Sequence, residues 1–206
     1  MFALGLTAVL GLLATLAAVG PPGAWEVQLA RLIQDRVGAS EAAILRALSW
    51  TGDFPHPWIL GTAACLVLLL VRGRRDAGVL AAALSSGGLL TMLIKVWTGR
   101  PRPQEPMVRV LEAYPHNSFP SGHVVFLTIL AGFFLLELRR PKGPAGVATR
   151  LALLSIFAGL VGTSRVYLGA HWPLDVAGGV VLAGLILVAV DYLLHERPSG
   201  MRAPTR

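Results

Sequence analysis

The amino-acid sequence predicts an all-α polytopic membrane protein, a bundle of six transmembrane helices with short interfacial helices between spans one and two. Composition is the first observation behind this prediction: 54% of the residues are hydrophobic, only 14% are charged, and the mean hydropathy is +0.65. A soluble domain of this size could not bury so much apolar surface. The second observation is that the apolar residues form runs close to the ~20 residues that a spanning helix needs.

The apolar runs define the spans in chain order. The first run has no Lys or Arg before Arg31, so it lacks the basic start of a secretory signal peptide and is interpreted as a retained span. Pro173 begins the sixth run, and proline is favoured in the first turn of a helix. Together the spans predict one domain over residues 1–197, followed by a disordered cytoplasmic tail over 198–206. The six runs are 1–20, 55–71, 77–97, 122–138, 151–168 and 173–194.

Residues 24–50 form a long segment between the first two spans. Their apolar positions recur at the spacing of amphipathic helices, which predicts two short helices lying in the membrane interface. Two interpretations stand side by side: the segment takes part in substrate access, or it is a packing lid with no part in access. The apolar positions are Trp25, Leu29, Leu32, Ile33 and Val37, followed by Ile44, Leu45 and Leu48.

The distribution of Lys and Arg predicts the orientation, because cytoplasmic loops carry an excess of these residues. Ten of the 18 fall on the side of both termini, which is therefore predicted to be cytoplasmic, and eight fall on the other side. The tryptophans lie at outer ends of spans or in the outer segment, and they are interpreted as an interfacial belt. The ten cations are Arg72, Arg74, Arg75, Arg139, Arg140, Lys142, Arg150, Arg197, Arg202 and Arg206; the tryptophans are Trp25, Trp50, Trp58, Trp97 and Trp172.

Polar and ionisable residues at membrane depth are costly, so their positions point to function. They collect at three places that the predicted topology brings to the outer face. The end of span three carries Lys95, Arg100 and Arg102; the start of span four carries Ser121, Gly122 and His123; and the hinge before span six carries Ser164, Arg165, His171 and Asp175.

Part of this set suits an anion with several oxygens. Lys95, Arg102 and Arg165 supply three cations with many donors. Ser121 and Gly122 begin a helix whose free backbone N–H groups and positive dipole end attract an anion. The sequence contains no paired carboxylates and no His/Cys cluster with zinc spacing, so the predicted site binds phosphate without a metal. The net charge of +7 does not indicate nucleic acid, because the basic residues form no continuous stripe.

The remaining polar residues can supply reactivity. Asp175 follows His171 by four residues, about one helical turn, and can hold one ring nitrogen while the other acts as the nucleophile. His123 is separate in sequence and is interpreted as the general acid that protonates the leaving alkoxide. Each residue alone could have a structural role, such as the snorkelling of Lys95 from a helix end. Their convergence at one membrane face favours chemistry.

The three segments together resemble the signature of the type 2 phosphatidic acid phosphatase (PAP2) family, membrane lipid phosphatases related to vanadium haloperoxidases. The family pattern reads K-x6-R-P, then P-S-G-H, then S-R-x5-H-x3-D, and every position is matched. The matching residues are Lys95, Arg102 and Pro103; Pro120, Ser121, Gly122 and His123; and Ser164, Arg165, His171 and Asp175.

The resemblance implies a metal-independent lipid phosphatase that uses no cofactor and forms a phosphohistidine on His171. His123 would protonate the departing group, and Asp175 would orient His171. Arg100 and His116 lie outside the pattern; Arg100 is expected to be a surface charge, and His116 is given no role. Five residues would hold the phosphate oxygens: Lys95, Arg102, Ser121, Gly122 and Arg165.

The expected substrate is a lipid phosphate or pyrophosphate, met among the membrane lipids of a bacterial inner (plasma) membrane at its extracytoplasmic side. Undecaprenyl pyrophosphate, phosphatidylglycerol phosphate and phosphatidic acid all fit, because the motifs contact only the phosphate. A lipid phosphotransferase, which uses a hydroxylated acceptor in place of water, is the alternative enzyme. An anion-binding transporter is the non-enzymatic alternative, but no Lys, Arg, Asp or Glu lies in the middle of a span.

Overall fold

The computed structural model describes residues 2–137 and 143–195, and within these ranges the chain forms helices and loops with no β-strand. The helices are α1 (Phe2–Ala18), α2 (Ala24–Arg36), α3 (Ala39–Trp50), α4 (His56–Val71), α5 (Arg74–Thr98), α6 (Gly122–Gly132), α7 (Gly143–Tyr167) and α8 (Pro173–His195). A π-helical turn, Phe133–Glu137, continues α6. The predicted tail 198–206 lies outside the described residues, as do six of the cations counted toward orientation: Arg139, Arg140, Lys142, Arg197, Arg202 and Arg206.

Each of the six apolar runs falls on one helix, which confirms the prediction of an all-helical membrane protein. Three helices, α5, α7 and α8, are long and apolar enough to cross a bilayer. The helices α1 and α4 are apolar but shorter, as is α6 together with its π-helical turn. The number of spans therefore stays a prediction. Both α5 and α7 begin before the corresponding apolar runs, because charged and small residues form their first turns.

Helix α8 lies at the centre of the bundle and packs against α1, α5 and α6. Two glycines allow its close approach to the start of α6. A Cβ on Gly178 would lie 2.4 Å from the ring of Phe119, and one on Gly179 would lie 3.0 Å from the carbonyl oxygen of Ser121. The Ser121 N–H donates to the carbonyl oxygen of Asp175 at 3.0 Å. The beginnings of α6 and α8 are therefore fastened to each other.

Helix α2 buries two polar side chains on the side that faces the protein. Its buried residues are Glu26, Ala30 and Gln34, which follow one another at intervals of four. Trp25 and Leu32, from the predicted apolar face, are at least half exposed. Ile33 and Val37, from the same predicted face, pack against the protein, so the apolar positions of α2 divide between the protein core and the predicted membrane interface. This arrangement brings a carboxylate, that of Glu26, into the interior.

The packing of the helix ends places the predicted motifs together. Arg75, at the start of α5, donates to the carbonyl oxygen of Leu193 near the end of α8 at 2.7 Å. The start of α5 and the end of α8 therefore lie side by side. The opposite end of the bundle gathers the end of α5, the beginnings of α6 and α8, and the end of α7. All three motif segments are at that end.

Candidate active site

The three motif segments meet at this end of the bundle. Lys95, in the last turn of α5, donates from Nζ to the carbonyl oxygens of Asn117 at 2.7 Å and Ser118 at 2.8 Å, which precede α6. Arg102, in the loop after α5, places its Nη1 3.2 Å from the Nε2 of His171. Segments that are far apart in the sequence therefore contribute neighbouring side chains.

His171 and Asp175 form the predicted pair at the start of α8. The Nδ1 of His171 lies 3.3 Å from Asp175 Oδ2, which also accepts the N–H of Trp172 at 2.8 Å. Because Arg102 Nη1 can only donate, its contact with His171 Nε2 requires Nε2 to accept and the ring proton to be on Nδ1. Burial first, and then the charges of Lys95 and Arg102, hold the pKa of His171 well below its ordinary value. His171 is therefore a neutral imidazole with its lone pair at Nε2.

Buried donors without protein acceptors lie in the same site. Arg165 is fully buried, and its Nη1 donates to Ser49 Oγ and, at 3.1 Å, to Glu112 Oε2. Among the described residues, its Nε and Nη2 have no partner, and neither has Ser121 Oγ. Unpaired buried donors are costly, so they are expected where a ligand supplies the acceptors. Gly122 is the first residue of α6, and its N–H has no acceptor within the helix.

His123 lies in the first turn of α6 and has a carboxylate partner that the sequence did not reveal. Its Nε2 lies 3.0 Å from Oδ1 of Asp53, in the loop between α3 and α4 and 70 positions away along the chain. Gly52, the residue before Asp53, packs closely on the same ring: a Cβ on Gly52 would lie 2.2 Å from the imidazole. Burial alone would raise the pKa of Asp53, but hydrogen bonds from His123 and Tyr114 outweigh it and lower the pKa below its ordinary value. Asp53 is therefore ionised.

Tyr114 is a second residue that the sequence did not reveal. Its hydroxyl lies 2.7 Å from Asp53 Oδ1 and 2.8 Å from Glu112 Oε2. The guanidinium groups of Arg102 and Arg165 lie 5.0 Å and 4.8 Å from the centre of its ring, within range of a cation–π interaction. Burial raises the pKa of Tyr114, so the phenol stays protonated and donates to a carboxylate. Tyr114 thus helps to hold both arginines in the site.

Arg100 is not the surface charge that the sequence predicted. It is 2% exposed, and its guanidinium donates to Asp175 Oδ1 at 2.7 Å and to Glu26 Oε2 at 2.5 Å. The prediction was wrong because Gly99 ends α5 in the left-handed conformation, with φ +59°, and the chain turns so that Arg100 enters the bundle. No local sequence pattern signalled this burial, because Glu26 becomes a buried acid in need of a cation only when α2 packs on the bundle.

Trp172 departs from the predicted interfacial belt. It is fully buried, and its Nε1 donates to the carbonyl oxygen of Pro101 at 3.1 Å. The prediction was wrong for this residue because it lies in the tight connection between α7 and α8, against the loop that follows α5. The other four tryptophans, Trp25, Trp50, Trp58 and Trp97, are each more than half exposed.

Comparison with known proteins identifies the family. The sequence profile of the PAP2 superfamily matches residues 76–198, the part of the chain that holds all three motifs. The chain belongs to the PAP2 superfamily. Decaprenylphosphoryl-5-phosphoribose phosphatase of Mycobacterium tuberculosis is 34% identical to this PAP2 protein over 158 residues, which are 76% of this chain and 81% of the relative. Undecaprenyl-diphosphatase of Sulfolobus acidocaldarius is 32% identical over 166 residues, 79% of this chain and 75% of the relative.

The fold of this PAP2 chain is similar to a solved crystal structure, that of the transmembrane PAP2 type phosphatidylglycerolphosphate phosphatase from Bacillus subtilis. The TM-score is 0.76, and the likeness covers 92% of this chain and 94% of the other at 22% sequence identity. At this identity the likeness concerns the fold alone. Family membership and fold together show that the PAP2 chain is an integral membrane phosphatase.

Proposed function

We propose that this PAP2 phosphatase hydrolyses a lipid phosphate or pyrophosphate through a phosphohistidine formed on His171. One observation carries the proposal: a neutral His171 with its lone pair at Nε2 shares a site with buried donors that lack protein acceptors, namely Nε and Nη2 of Arg165 and Oγ of Ser121. A phosphate bound there would satisfy these donors and present its phosphorus to the nucleophile.

Five residues hold the phosphate oxygens in this proposal. Arg165 and Ser121 contribute the buried unpaired donors, and Gly122 contributes a backbone N–H at the positive end of the α6 dipole. Lys95 and Arg102 add positive charge, and each keeps N–H donors beyond those used on backbone carbonyls. Phosphoryl transfer depends mainly on such positioning and charge compensation.

The reaction then proceeds in two steps. His171 Nε2 attacks phosphorus, the bond to the leaving oxygen breaks, and His123 gives its proton to that oxygen. Arg102 Nη1 passes from Nε2 to a phosphate oxygen, and Asp175 stabilises the imidazolium charge through Nδ1–H. Water attacks the phosphohistidine, the phosphorus–nitrogen bond breaks, and a water proton returns to His123. Inorganic phosphate leaves, and both histidines are restored.

The substrate class is proposed from the relatives and from the position of α2. Two relatives are named for a decaprenyl-phosphoryl compound and for undecaprenyl diphosphate, so both names contain a prenyl phosphate. The exposed side chains of Trp25 and Leu32 on α2 fit the level of the lipid headgroups. Undecaprenyl pyrophosphate is therefore the first candidate, and phosphatidylglycerol phosphate and phosphatidic acid are the others.

We further propose that the site opens to the extracytoplasmic side of a bacterial inner membrane. Arg72 and Arg75 flank the start of α5, away from the site, and positive residues favour the cytoplasmic side. Single cysteines at Gln104 and Ala145, in a Cys65→Ala background, test the orientation. A membrane-impermeant thiol reagent applied to intact cells should label Gln104→Cys and spare Ala145→Cys. The opposite pattern would reverse the orientation.

A substrate panel tests the function. The purified protein in detergent should release inorganic phosphate from at least one lipid phosphate or pyrophosphate, and rapid quenching should trap a phosphohistidine. Hydrolysis should survive EDTA and be inhibited by vanadate, which mimics the pentacoordinate phosphoryl group. Activity lost to EDTA and restored by Mg²⁺ would contradict the metal-independent mechanism. Transfer of the phosphoryl group to an added alcohol, with little free phosphate, would indicate a phosphotransferase.

A further inference from the structure

We infer that Arg100 and Glu26 are positioning residues of the phosphatase reaction, which keep Asp175 ionised and thereby determine which nitrogen of His171 carries the proton. Both lie outside the three motifs. The inference rests on the proposed function, in which His171 is the nucleophile.

Four side chains, those of Glu26, Arg100, Asp175 and His171, form one continuous buried network. Glu26 Oε2 accepts from Arg100 Nη2 at 2.5 Å, and Asp175 Oδ1 accepts from Arg100 Nη1 at 2.7 Å. The other oxygen of Asp175 lies 3.3 Å from His171 Nδ1. All four residues are at most 2% exposed. Water therefore screens these charges little, and the loss of one member leaves its neighbours unpaired.

Arg100 is the cation in direct contact with Asp175. The other charged groups that face this carboxylate are Lys95 from α5, Arg102 from the following loop, and His171. Lys95 and Arg102 donate to backbone carbonyls instead and are assigned to phosphate binding in the proposed function. Arg100 alone among these cations forms an ion pair with Asp175 in the part of the chain that the structure describes.

The pairing of Asp175 controls the His171 tautomer. An ionised Asp175 can only accept, so the ring proton stays on Nδ1 and Nε2 keeps its lone pair. A buried carboxylate that loses its cation takes up a proton. The protonated Asp175 would then donate to Nδ1, the ring proton would be on Nε2, and Arg102 Nη1, which can only donate, would lose its contact with Nε2. In that tautomer Nε2 has no lone pair with which to attack phosphorus.

Glu26 connects α2 to this buried network and offsets the charge of Arg100. Its Oε1 accepts the N–H of Leu174, in the first turn of α8, at 3.1 Å, and its Oε2 accepts the N–H of Gly23 at 3.1 Å. Within this buried set, two carboxylates and one guanidinium leave one net negative charge, which opposes the positive charges of Lys95, Arg102 and Arg165 near His171. This charge stabilises the imidazolium that develops as Nε2 bonds to phosphorus. If Glu26 were absent, the positive charge of Arg100 would cancel the negative charge of Asp175.

Arg100→Gln in the full chain, reconstituted in lipid nanodiscs with p-nitrophenyl phosphate as substrate, tests the inference. We expect phosphorylation of His171 to slow by about 10²-fold or more, towards the ~10⁴-fold that a wrong tautomer costs a Ser–His–Asp site, with KM little changed. The rate in this variant should rise with pH as Asp175 ionises again, and the wild-type rate should show no such rise. Arg100→Lys restores the cation and should recover part of the rate.

Nitrogen-15 NMR of labelled histidines gives a readout that does not depend on turnover. With His171→Gln to assign the signal, the wild type should carry the proton on Nδ1, and Arg100→Gln should move it to Nε2. Glu26→Gln has nearly the same shape as the wild-type residue. It should keep the wild-type tautomer but slow phosphorylation by about tenfold, the effect of one pKa unit of differential interaction, with KM little changed.

The matched control is the ion pair of Arg72 and Asp76, 3.2 Å apart at the far end of the bundle. Arg72→Gln and Asp76→Asn should leave phosphorylation and the tautomer unchanged.

The inference is wrong if Arg100→Gln is phosphorylated at the wild-type rate. It is also wrong if phosphorylation of this variant slows equally at every pH while His171 keeps the wild-type tautomer. If that variant does not fold, Arg100→Lys and Glu26→Gln decide: wild-type phosphorylation in both contradicts the inference, and slowed phosphorylation with unchanged KM supports it. A phosphoenzyme in His171→Ala would instead overturn the proposed function.

Discussion

Two histidine–carboxylate pairs lie in the site, and the chain makes them in different ways. His171 and Asp175 are four residues apart around the start of α8, and their side chains are 3% and 0% exposed. His123 and Asp53 are 70 residues apart, on α6 and on the loop between α3 and α4, and their side chains are 12% and 27% exposed. The first pair is local to one helix start, whereas the second exists only once two distant segments have folded together.

The difference suits the chemistry proposed for each pair. A nucleophile has to keep one tautomer and one orientation, and the buried, ion-paired Asp175 provides both for His171. A general acid has to recover its proton from water in each cycle, so it needs contact with solvent. The loop carboxylate of Asp53 holds the His123 ring without sealing it from water. Burial in this site thus separates the group proposed to bond to phosphorus from the group proposed to exchange protons.

Removal of the histidine from the buried pair should have the largest effect. His171→Ala removes the nucleophile, so no phosphoenzyme should form and kcat should fall by more than about 10⁴-fold. Rapid quenching with a radiolabelled substrate measures the phosphoenzyme directly. His195→Ala, at the far end of α8, is the control and should keep both the phosphoenzyme and the turnover. A phosphohistidine in His171→Ala would assign the nucleophile elsewhere.

Matched changes of the two carboxylates compare the pairs directly. Asp175→Asn should cost up to ~10⁴-fold in kcat, because the amide can hold His171 in the wrong tautomer. Asp53→Asn should cost only about tenfold, because His123 loses an orienting partner but keeps its proton-transfer role. Steady-state kinetics on one lipid substrate measure both. Equal losses in the two variants would contradict the distinction between a buried pair and a partly exposed pair.

His123→Ala should show an effect that depends on the leaving group. A lipid alkoxide leaves poorly without a proton, so hydrolysis of a lipid monoester should slow by about 10²–10⁴-fold, the usual contribution of a general acid. p-Nitrophenyl phosphate releases a stabilised phenolate and should be affected less. The ratio of the two rates, compared with the wild-type ratio, is the measurement. The same loss on both substrates would mean that His123 is not the acid.

The smallest expected effect is the change in the rate of His171 phosphorylation with pH. Because the pKa of His171 is held well below its ordinary value of 6.5, the ring stays neutral as the pH falls through 6.5. Protonation would remove the lone pair, so the phosphorylation rate should fall only at lower pH. Single-turnover rates between about pH 5 and 8, the range in which an ordinary histidine titrates, measure this. A half-maximal rate near the ordinary value would contradict the burial argument.

Much of the fold and of the site could be predicted from local sequence patterns. Apolar runs of nearly spanning length require helices, since lipid offers no partners for free backbone groups. Short connections then bring the ends of neighbouring helices together, which is why Lys95, Ser121 and His171 were expected at one end of the bundle. The spacing of four residues between His171 and Asp175 is itself a contact prediction, because one helical turn places such residues side by side.

The partners of these residues could not be predicted, because they depend on the paths of loops and on the rotation of one helix. The turn at Gly99 takes Arg100 into the interior, and the rotation of α2 about its axis puts Glu26 there to meet it. The loop between α3 and α4 brings Asp53 to His123 across 70 residues. No local periodicity records such long-range pairings. Burial away from water then makes the pairings obligatory, since an unpaired charge in the interior is too costly to keep.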